Sequence, residues 1–251
     1  IAHGLERLRA AVDAAGLDGF VLQRTDQHGS EYLPPGDERL AWLTGFTGSA
    51  GQAVVLPEAA AVFVDGRYTE QAKAELDAAM FDRCDLTACP PSTWLAERLT
   101  TGMVIGVDPR LARKAELGRL RRICGDRDAR LRLVEANPLD AIWTDRPGPP
   151  VHPVTAQPLA LAGETSAAKR QRIAAATAAS GAGWLLLTAA DSIAWLLNIR
   201  GADVPYNPLC LSHLLLKDDG TARWYVDPAK LEAGPVVDNA VEWRPYAALD
   251  A

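Results

Sequence analysis

The sequence predicts an α/β protein of two tandem related domains, each a mixed β-sheet flanked by helices, with the second domain reading as incomplete. Three observations carry this. The stretch Leu40-Ala41-Trp42-Leu43, followed by a turn at Gly45, returns as Ile193-Ala194-Trp195-Leu196 with a turn at Gly201. A helical segment and a short apolar strand precede each copy, Gly19-Phe20-Val21-Leu22-Gln23 and Gly183-Trp184-Leu185-Leu186-Leu187. Two further strands follow each copy and end at Val64-Asp65 and Val226-Asp227. Two long copies point to a duplicated domain and away from a solenoid of many short repeats.

The elements follow in order. Leu5, Leu8, Val12 and Ala15 recur at helical spacing and Gly16 follows as a stop, so the chain from Ile1 onward opens with an amphipathic helix. The strand at 19–23 delivers the chain to its most polar loop, Arg24-Thr-Asp-Gln-His-Gly-Ser-Glu-Tyr32, which holds Asp26, His28 and Glu31. Loops that leave strand ends in α/β proteins are where sites are built, and a solvated connection with Asx-type turns is the competing reading. A helical turn around Trp42 leads through Gly45, Gly48 and Gly51, read as turns with φ > 0, to strands at 52–56 and 60–64. The glycine spacing is not the dinucleotide fingerprint. The short links Pro57-Glu58-Ala59 and Asp218-Asp219-Gly220 imply antiparallel hairpins, so each sheet is mixed. Asp65 is placed to cap a helix running to about Leu76.

Helix and strand then alternate at 93–99, 103–107, 111–124 and 130–134. The proline-dense stretch Thr144-Asp-Arg-Pro-Gly-Pro-Pro-Val-His-Pro153 reads as a semi-rigid connection, dividing the chain into a first domain at 1–146, a linker at 147–165 and a second domain at 166–251. The second domain runs helix 166–180, strand 183–188, a helix capped by Asp191, the loop Arg200–Pro208, strand 210–216, hairpin and strand 223–226. Arg200 and Asp203 are close enough in sequence for a local ion pair that orders this loop, and the loop ending in Asn207-Pro208 could equally face a further domain. Trp42 and Trp195 are expected to be core anchors.

Composition narrows the function. Of the 251 residues 48% are apolar, enough for two cores, and no apolar run approaches the roughly 18 residues of a spanning helix. A formal net charge of -6 argues against a nucleic-acid partner. The four cysteines show no CxxC pairing and read as reduced thiols. The four histidines, His3, His28, His152 and His213, are scattered without HxxxH or HExxH spacing, so no metal site is expected in this chain. No membrane segment or secretory leader is read, and a cytoplasmic protein is expected.

Several motifs recur in an order that resembles one family. They are Asp26-x-His28-x-Ser30-Glu31-Tyr32, Asp37-Glu38-Arg39, Gly45-Phe46-x-Gly48-Ser49-Ala50-Gly51, Asp65-Gly66-Arg67-Tyr68, Gly106-Val107-Asp108-Pro109, Ile142-Trp143-Thr144-Asp145-Arg146-Pro147 and Trp195-Leu196-x-Asn198-x-Arg200-Gly201-x-Asp203-Val204-x-x-Asn207-Pro208. Together they resemble the front of the long, three-domain aminopeptidase P (Xaa-Pro aminopeptidase). The resemblance implies two creatinase/prolidase-type N-terminal domains. It also implies a third, C-terminal pita-bread domain that holds two divalent metal ions, usually manganese, on two Asp, one His and two Glu. That domain is absent from this chain, which is expected to be inactive alone. The lack of a starting Met and the end at Ala251 fit a piece of a longer protein.

The implied activity is removal of the residue ahead of proline from peptides with proline in second position, by a parent enzyme expected to be a homodimer. This portion would then gate the substrate cleft and support domain or subunit packing. Glu31 is the first candidate for recognising the substrate amine or organising the cleft, with His28 and Asp26 beside it. A turn cap or a pair with Arg39 is the alternative for Glu31. Arg67 is a further cleft candidate, although as the second residue after a cap it is better suited to bonding a neighbouring carboxylate. A reading from another class is a non-catalytic peptide- or protein-binding module on the same fold.

Overall fold

A computed structural model of the chain describes residues 2–232 and 237–249. Ile1, where the first helix was expected to begin, and Ala251, the expected end of the second domain, lie outside the described residues. The chain divides into two compact units, one of Ile1–Asp26 with Pro35–Pro147, the other of Gln27–Pro34 with Gly148–Ala251.

The first unit opens with α1 (Ala2–Ala14), whose Leu5, Leu8 and Val12 are buried as the helical spacing requires. It continues through β1 (Gly19–Gln23), α2 (Arg39–Thr44), β2 (Gly51–Val55), β3 (Ala60–Val64), α3 (Thr69–Glu75), β4 (Asp82–Asp85), α4 (Pro91–Ala96), β5 (Val104–Val107), α5 (Lys114–Asp126), β6 (Arg130–Leu133) and α6 (Pro138–Ile142). The six strands lie in the order β4-β3-β2-β1-β5-β6. β1–β2 and β2–β3 are antiparallel, while β1–β5, β5–β6 and β3–β4 are parallel, which is the mixed sheet the hairpin signal requires.

Apart from Gln23 and Gln52 the central strands are apolar, as strands covered on both faces are. Phe20, Leu22, Ala53, Val55, Val62 and Val64 pack into one core with Leu5, Leu8 and Leu139. The alternate residues Val21, Val54, Ala61 and Phe63 pack into a second with Trp94, Leu95 and Leu120. The period of two along a strand thus feeds two cores from one sheet.

Several boundaries shift. The segment after Asp65 is a 3₁₀ turn, Gly66–Tyr68, followed by α3, with Asp65 accepting the Arg67 backbone N–H at 2.9 Å as a cap. β4 was not foreseen, since Asp82-Arg83-Cys84-Asp85 is a polar edge strand without an apolar alternation. Of the three glycines after α2, only Gly45 takes positive φ, at 80°. Gly48 and Gly51 serve close approach instead: a Cβ would lie 2.2 Å from Phe46 in the first and 2.9 Å from Leu40 in the second.

The second unit contains β7 (Thr155–Ala156), α7 (Leu159–Ala162), α8 (Ser166–Ala179), β8 (Trp184–Leu187), α9 (Ala190–Leu197), β9 (Ile199–Arg200), β10 (His213–Lys217), β11 (Ala222–Val226) and β12 (Val241–Pro245). Its main sheet has the order β12-β11-β10-β8, with β8–β10 and β10–β11 antiparallel and β11–β12 parallel. β7 and β9 form a separate two-stranded ladder. The stretch expected as a linker therefore carries β7, α7 and Thr165, whose hydroxyl caps α8 by accepting the Ala168 N–H at 3.1 Å. Asp191 is not the cap of α9; it lies in the first turn, one residue inside the helix, and its carboxylate accepts the Ser192 N–H. β12 was not foreseen either, because Val-Glu-Trp-Arg-Pro carries charges and a terminal proline.

Candidate functional site

The polar loop after β1 contains Gln27–Pro34, which belongs to the second unit, and the loop is built around His28. This imidazole is buried, with Nδ1 3.0 Å from the Thr188 carbonyl oxygen and Nε2 2.9 Å from the Tyr246 hydroxyl. A carbonyl can only accept, so Nδ1 carries a proton and donates to Thr188, while the Tyr246 hydroxyl, which can both donate and accept, donates to Nε2 when the ring is neutral. The His213 ring meets His28 edge-on at 4.5 Å, and His213 and Tyr246 meet at 5.1 Å. Buried rings of this kind fix the loop by packing as well as by hydrogen bonds. None of this was legible locally, because the hydrogen-bond partners lie 160 and 218 residues away in sequence.

With His28 held, Glu31 and Tyr32 are exposed on the same segment. Tyr32 meets Tyr206 edge-on at 6.0 Å. Tyr206 is 93% exposed and sits at φ 64°, a left-handed conformation that is costly for an aromatic residue. The Val204–Asn207 bridge closes the turn that carries it.

The turn is ordered by charge, though not by the expected pair. Asp203 does not bond Arg200. Its buried Oδ2 accepts from Lys230 Nζ at 2.6 Å and from the Leu211 N–H at 2.7 Å. Arg200 donates to the Ile199 carbonyl instead. Both members of the Asp203–Lys230 pair are buried, and removing one would leave an uncompensated charge, typically costing about 3–5 kcal/mol. His152 Nδ1 lies 3.7 Å from the other Asp203 oxygen. Burial pushes the adjacent Cys210 thiol up to about 12. Gly201 lets the chain pass close to itself, since a Cβ there would lie 2.7 Å from the Leu209 carbonyl oxygen.

The other candidates fall in the first unit. Asp26 is buried there. Arg67 is exposed and its guanidinium bonds Asp65, with Nη2–Oδ2 at 2.6 Å, while its charge lies 5.2 Å from the Tyr68 ring centroid. Hydrogen bonds from Arg67 hold the Asp65 carboxyl below its ordinary range. Pairing of Glu31 with Arg39 does not form: Arg39 bonds Asp140 through Nε and Nη2 and Asp37 through Nη1. His28 and Glu31 thus belong to the second unit, and Asp26 and Arg67 to the first.

Trp42 lies partly buried against the first core, stacked on Trp143 at 5.4 Å. Trp195 is not a core anchor; it is 44% exposed, with Lys169 Nζ 4.6 Å and the Arg172 guanidinium 5.5 Å from its ring. It helps line a cavity of about 520 Å³ with Ile173, Leu185 and Leu187.

Among the described residues no group of three or more His, Cys, Asp or Glu side chains is placed to hold a metal ion. Both ring nitrogens of His28 are engaged, and His213 and His152 stand beside other partners. These residues do not fit a two-metal centre. No described helix is long and apolar enough to cross a membrane.

Comparison with known proteins places these features. Two models described as creatinase/prolidase N-terminal domain match residues 5–140 and 145–251. The chain is 34% identical to a probable Xaa-Pro aminopeptidase P of Coccidioides posadasii (strain RMSCC 757 / Silveira), over 98% of this chain and 41% of that protein. It is likewise 34% identical to a probable Xaa-Pro aminopeptidase P of Aspergillus niger, again over 98% of this chain and 41% of the relative. Among solved structures it is similar to an X-prolyl aminopeptidase from Caenorhabditis elegans, described as a cytosolic enzyme with a di-nuclear active site. The TM-score is 0.90 at 28% identity, over 99% of this chain and 43% of that one. The chain spans about two fifths of the length of the curated relatives it matches.

Proposed function

The chain belongs to the creatinase/prolidase N-terminal domain family, which it carries twice, and from that premise we propose that it is the non-catalytic N-terminal portion of a metal-dependent Xaa-Pro aminopeptidase. The observation that carries the reading is the similarity to such enzymes along almost the whole chain, while the chain accounts for less than half of their length. The whole protein would remove the residue ahead of proline from peptides with proline in second position. The two metal ions, proposed to be manganese, would lie in a C-terminal pita-bread domain outside this chain, and a cytoplasmic homodimer is the proposed state.

Within this reading the first domain gates the substrate cleft. An exopeptidase must admit one residue ahead of the scissile bond and hold a free amine, and an exposed carboxylate on an anchored loop suits that task. Glu31 is the proposed amine-facing group. His28 acts as a positioning residue, since its two hydrogen bonds fix the segment that carries Glu31. Asp26, where the loop begins, and Arg67, paired with Asp65, are proposed to hold the cleft wall without touching substrate.

The test is an assay of the full-length protein with added manganese on a peptide with proline in second position, alongside the coding sequence beyond Ala251. Metal-dependent release of the first residue by the whole protein, and none by residues 1–251 alone, is expected. Turnover by residues 1–251 that scales with their concentration would refute the placement of the chemistry. A full-length protein without the Asp, Asp, His, Glu and Glu ligands, yet binding such peptides, would make this a peptide-binding module instead. In the active enzyme, Glu31→Gln is expected to lower kcat/KM by about tenfold or more, through loss of one charge-assisted contact. Unchanged kcat/KM would leave Glu31 with a structural role only.

A further inference from the structure

The turn Val204-Pro205-Tyr206-Asn207-Pro208 carries a side chain that the packing of its own unit leaves unused. Its base is clamped. The Gly201 N–H donates to the Pro208 carbonyl at 3.1 Å, the Asp203 N–H to the Leu209 carbonyl at 3.0 Å and the Asn207 N–H to the Val204 carbonyl at 3.3 Å. The buried Asp203 carboxylate ties the same turn to Lys230 and to the Leu211 N–H. Pro205 and Pro208 each fix one φ of the segment. At the tip stands Tyr206, 93% exposed and at φ 64°. Left-handed backbone suits glycine, so a tyrosine there is strained, and the clamped base sustains the strain. Burial of the ring would offset it, yet the ring meets Tyr32 edge-on with centroids 6.0 Å apart, and Tyr32 is itself 40% exposed. A strained, open aromatic side chain on a fixed turn points to a ligand from outside the chain.

We propose that Tyr206, with Tyr32 beside it, receives the pyrrolidine ring of the peptide's second residue. This rests on the peptidase reading above and adds the residues that distinguish proline. Both rings of the pair belong to the second unit, as does Glu31. Tyr32 follows Glu31 directly, so their Cα atoms are about 3.8 Å apart. The peptide has the same spacing between the residue that bears the free amine and the proline after it. A peptide whose ammonium reaches the Glu31 carboxylate therefore carries its pyrrolidine ring to the neighbourhood of Tyr32 and Tyr206. Proline is suited to such a surface. Its ring is rigid and apolar, leaves no N–H to satisfy within a chain, and docks against exposed aromatic rings. The tyrosines lose little freedom when it arrives, since the turn at 206 and the loop held by His28 are already fixed.

The experiment measures kcat and KM of the full-length protein with added manganese, on peptides with proline or N-methylalanine in second position. N-methylalanine keeps the tertiary amide and lacks the ring. In Tyr206→Gly, KM for the proline peptide is expected to rise about tenfold with kcat within about twofold, as loss of a contact made equally in ground and transition states requires. The preference for proline over N-methylalanine in kcat/KM should fall by the same factor. Tyr206→Phe, which keeps the ring, should stay within about twofold of the unmodified protein on both peptides. The urea midpoint of Tyr206→Gly should not fall, because glycine relieves the left-handed strain. An unchanged KM or an unchanged proline preference in Tyr206→Gly, with the unmodified protein active, overturns this proposal alone. A fall in the urea midpoint together with kcat also overturns it, since Tyr206 would then be packing against another part of the protein. No release of the first residue by the unmodified protein overturns the peptidase reading and this proposal with it.

Discussion

β1 and β8 begin from the same local pattern and end in different surroundings. Each is a short, mostly apolar strand that opens on or just after a glycine, followed by a helix with an Ala-Trp-Leu core. β1 is buried along all five residues, hydrogen-bonded to β2 on one side and β5 on the other. β8 alternates between exposed and half-buried, pairs with β10, and among the described residues no strand covers its other edge. The order β12-β11-β10-β8 repeats β4-β3-β2-β1, so the second sheet lacks counterparts of β5 and β6 among the described residues. The lesson is that a strand's own residues determine that it is a strand, and its neighbours determine what it buries.

That contrast can be broken by mutation, most sharply at the strand centres. Phe20→Ala removes a fully buried ring and is expected to cost about 3–5 kcal/mol in denaturant unfolding. Leu186→Ala, at a residue 49% exposed, should cost less than about 1 kcal/mol. Equal losses in the full-length protein would mean that a further part of that protein covers β8. The tryptophans come next. Trp42→Ala should cost about 2–4 kcal/mol through the lost stack on Trp143, and Trp195→Ala about 1 kcal/mol, near the worth of an exposed cation–π contact. Acrylamide quenching whose accessible fraction falls in Trp195→Ala, with Trp184 and Trp243 still contributing to it, and does not fall in Trp42→Ala, checks the same point by another route.

The glycines at the start of the two strands, Gly19 and Gly183, offer a finer comparison. A Cβ on Gly19 would meet Leu56 at 2.5 Å, Ile105 at 3.0 Å and the Val55 carbonyl oxygen at 3.1 Å, whereas on Gly183 the nearest atom is 4.0 Å away. Gly19→Ala is expected to lose about 1–3 kcal/mol, and Gly183→Ala to be neutral or to gain about 0.5 kcal/mol. A loss at both sites would show that Gly183 is as confined as Gly19.

The smallest effect concerns the hairpin links. Hydrogen bonds from Lys217, and after them from the Thr221 hydroxyl and N–H, hold the Asp219 carboxyl well below the usual range. A lowered folded pKa means that the bound form is favoured above the unfolded pKa, about 3.9, and is lost as pH falls through the lower folded value. NMR titration should therefore show Asp219 still ionised at pH 3, with Asp219→Asn removing that acid-dependent change. An ordinary midpoint for Asp219 would show that its bonds from Lys217 and Thr221 do not hold in solution.

Much of the architecture was legible because local signals suffice for it. The spacing of Leu5, Leu8 and Val12, the Asp65 cap and the two hairpin links all act within a few residues. β4 and β12 escaped because edge strands tolerate charge and proline. Trp195 was misjudged because a strand–helix pattern does not say whether a neighbour covers it. The candidate loop was legible as polar and its Glu31 as a candidate, but its anchors were not. Asp203 finds Lys230 27 residues on, and no local spacing announces such a partner.

His28 also sets a timetable. Synthesis runs from the N-terminus, so the ring exists long before Tyr246, which lies 218 residues later. At the usual 5–20 residues per second the interval is roughly 10–40 s. Throughout it the loop leaving β1 lacks its final anchor, although the strands on either side of it belong to a unit whose last residue, Pro147, has been made. The first domain can thus form its sheet while one of its loops waits, and a ribosome that stalls before Tyr246 releases a chain whose earliest polar loop has never been fastened. A cut at 147/148 has the same effect, because neither fragment holds both ends of that contact.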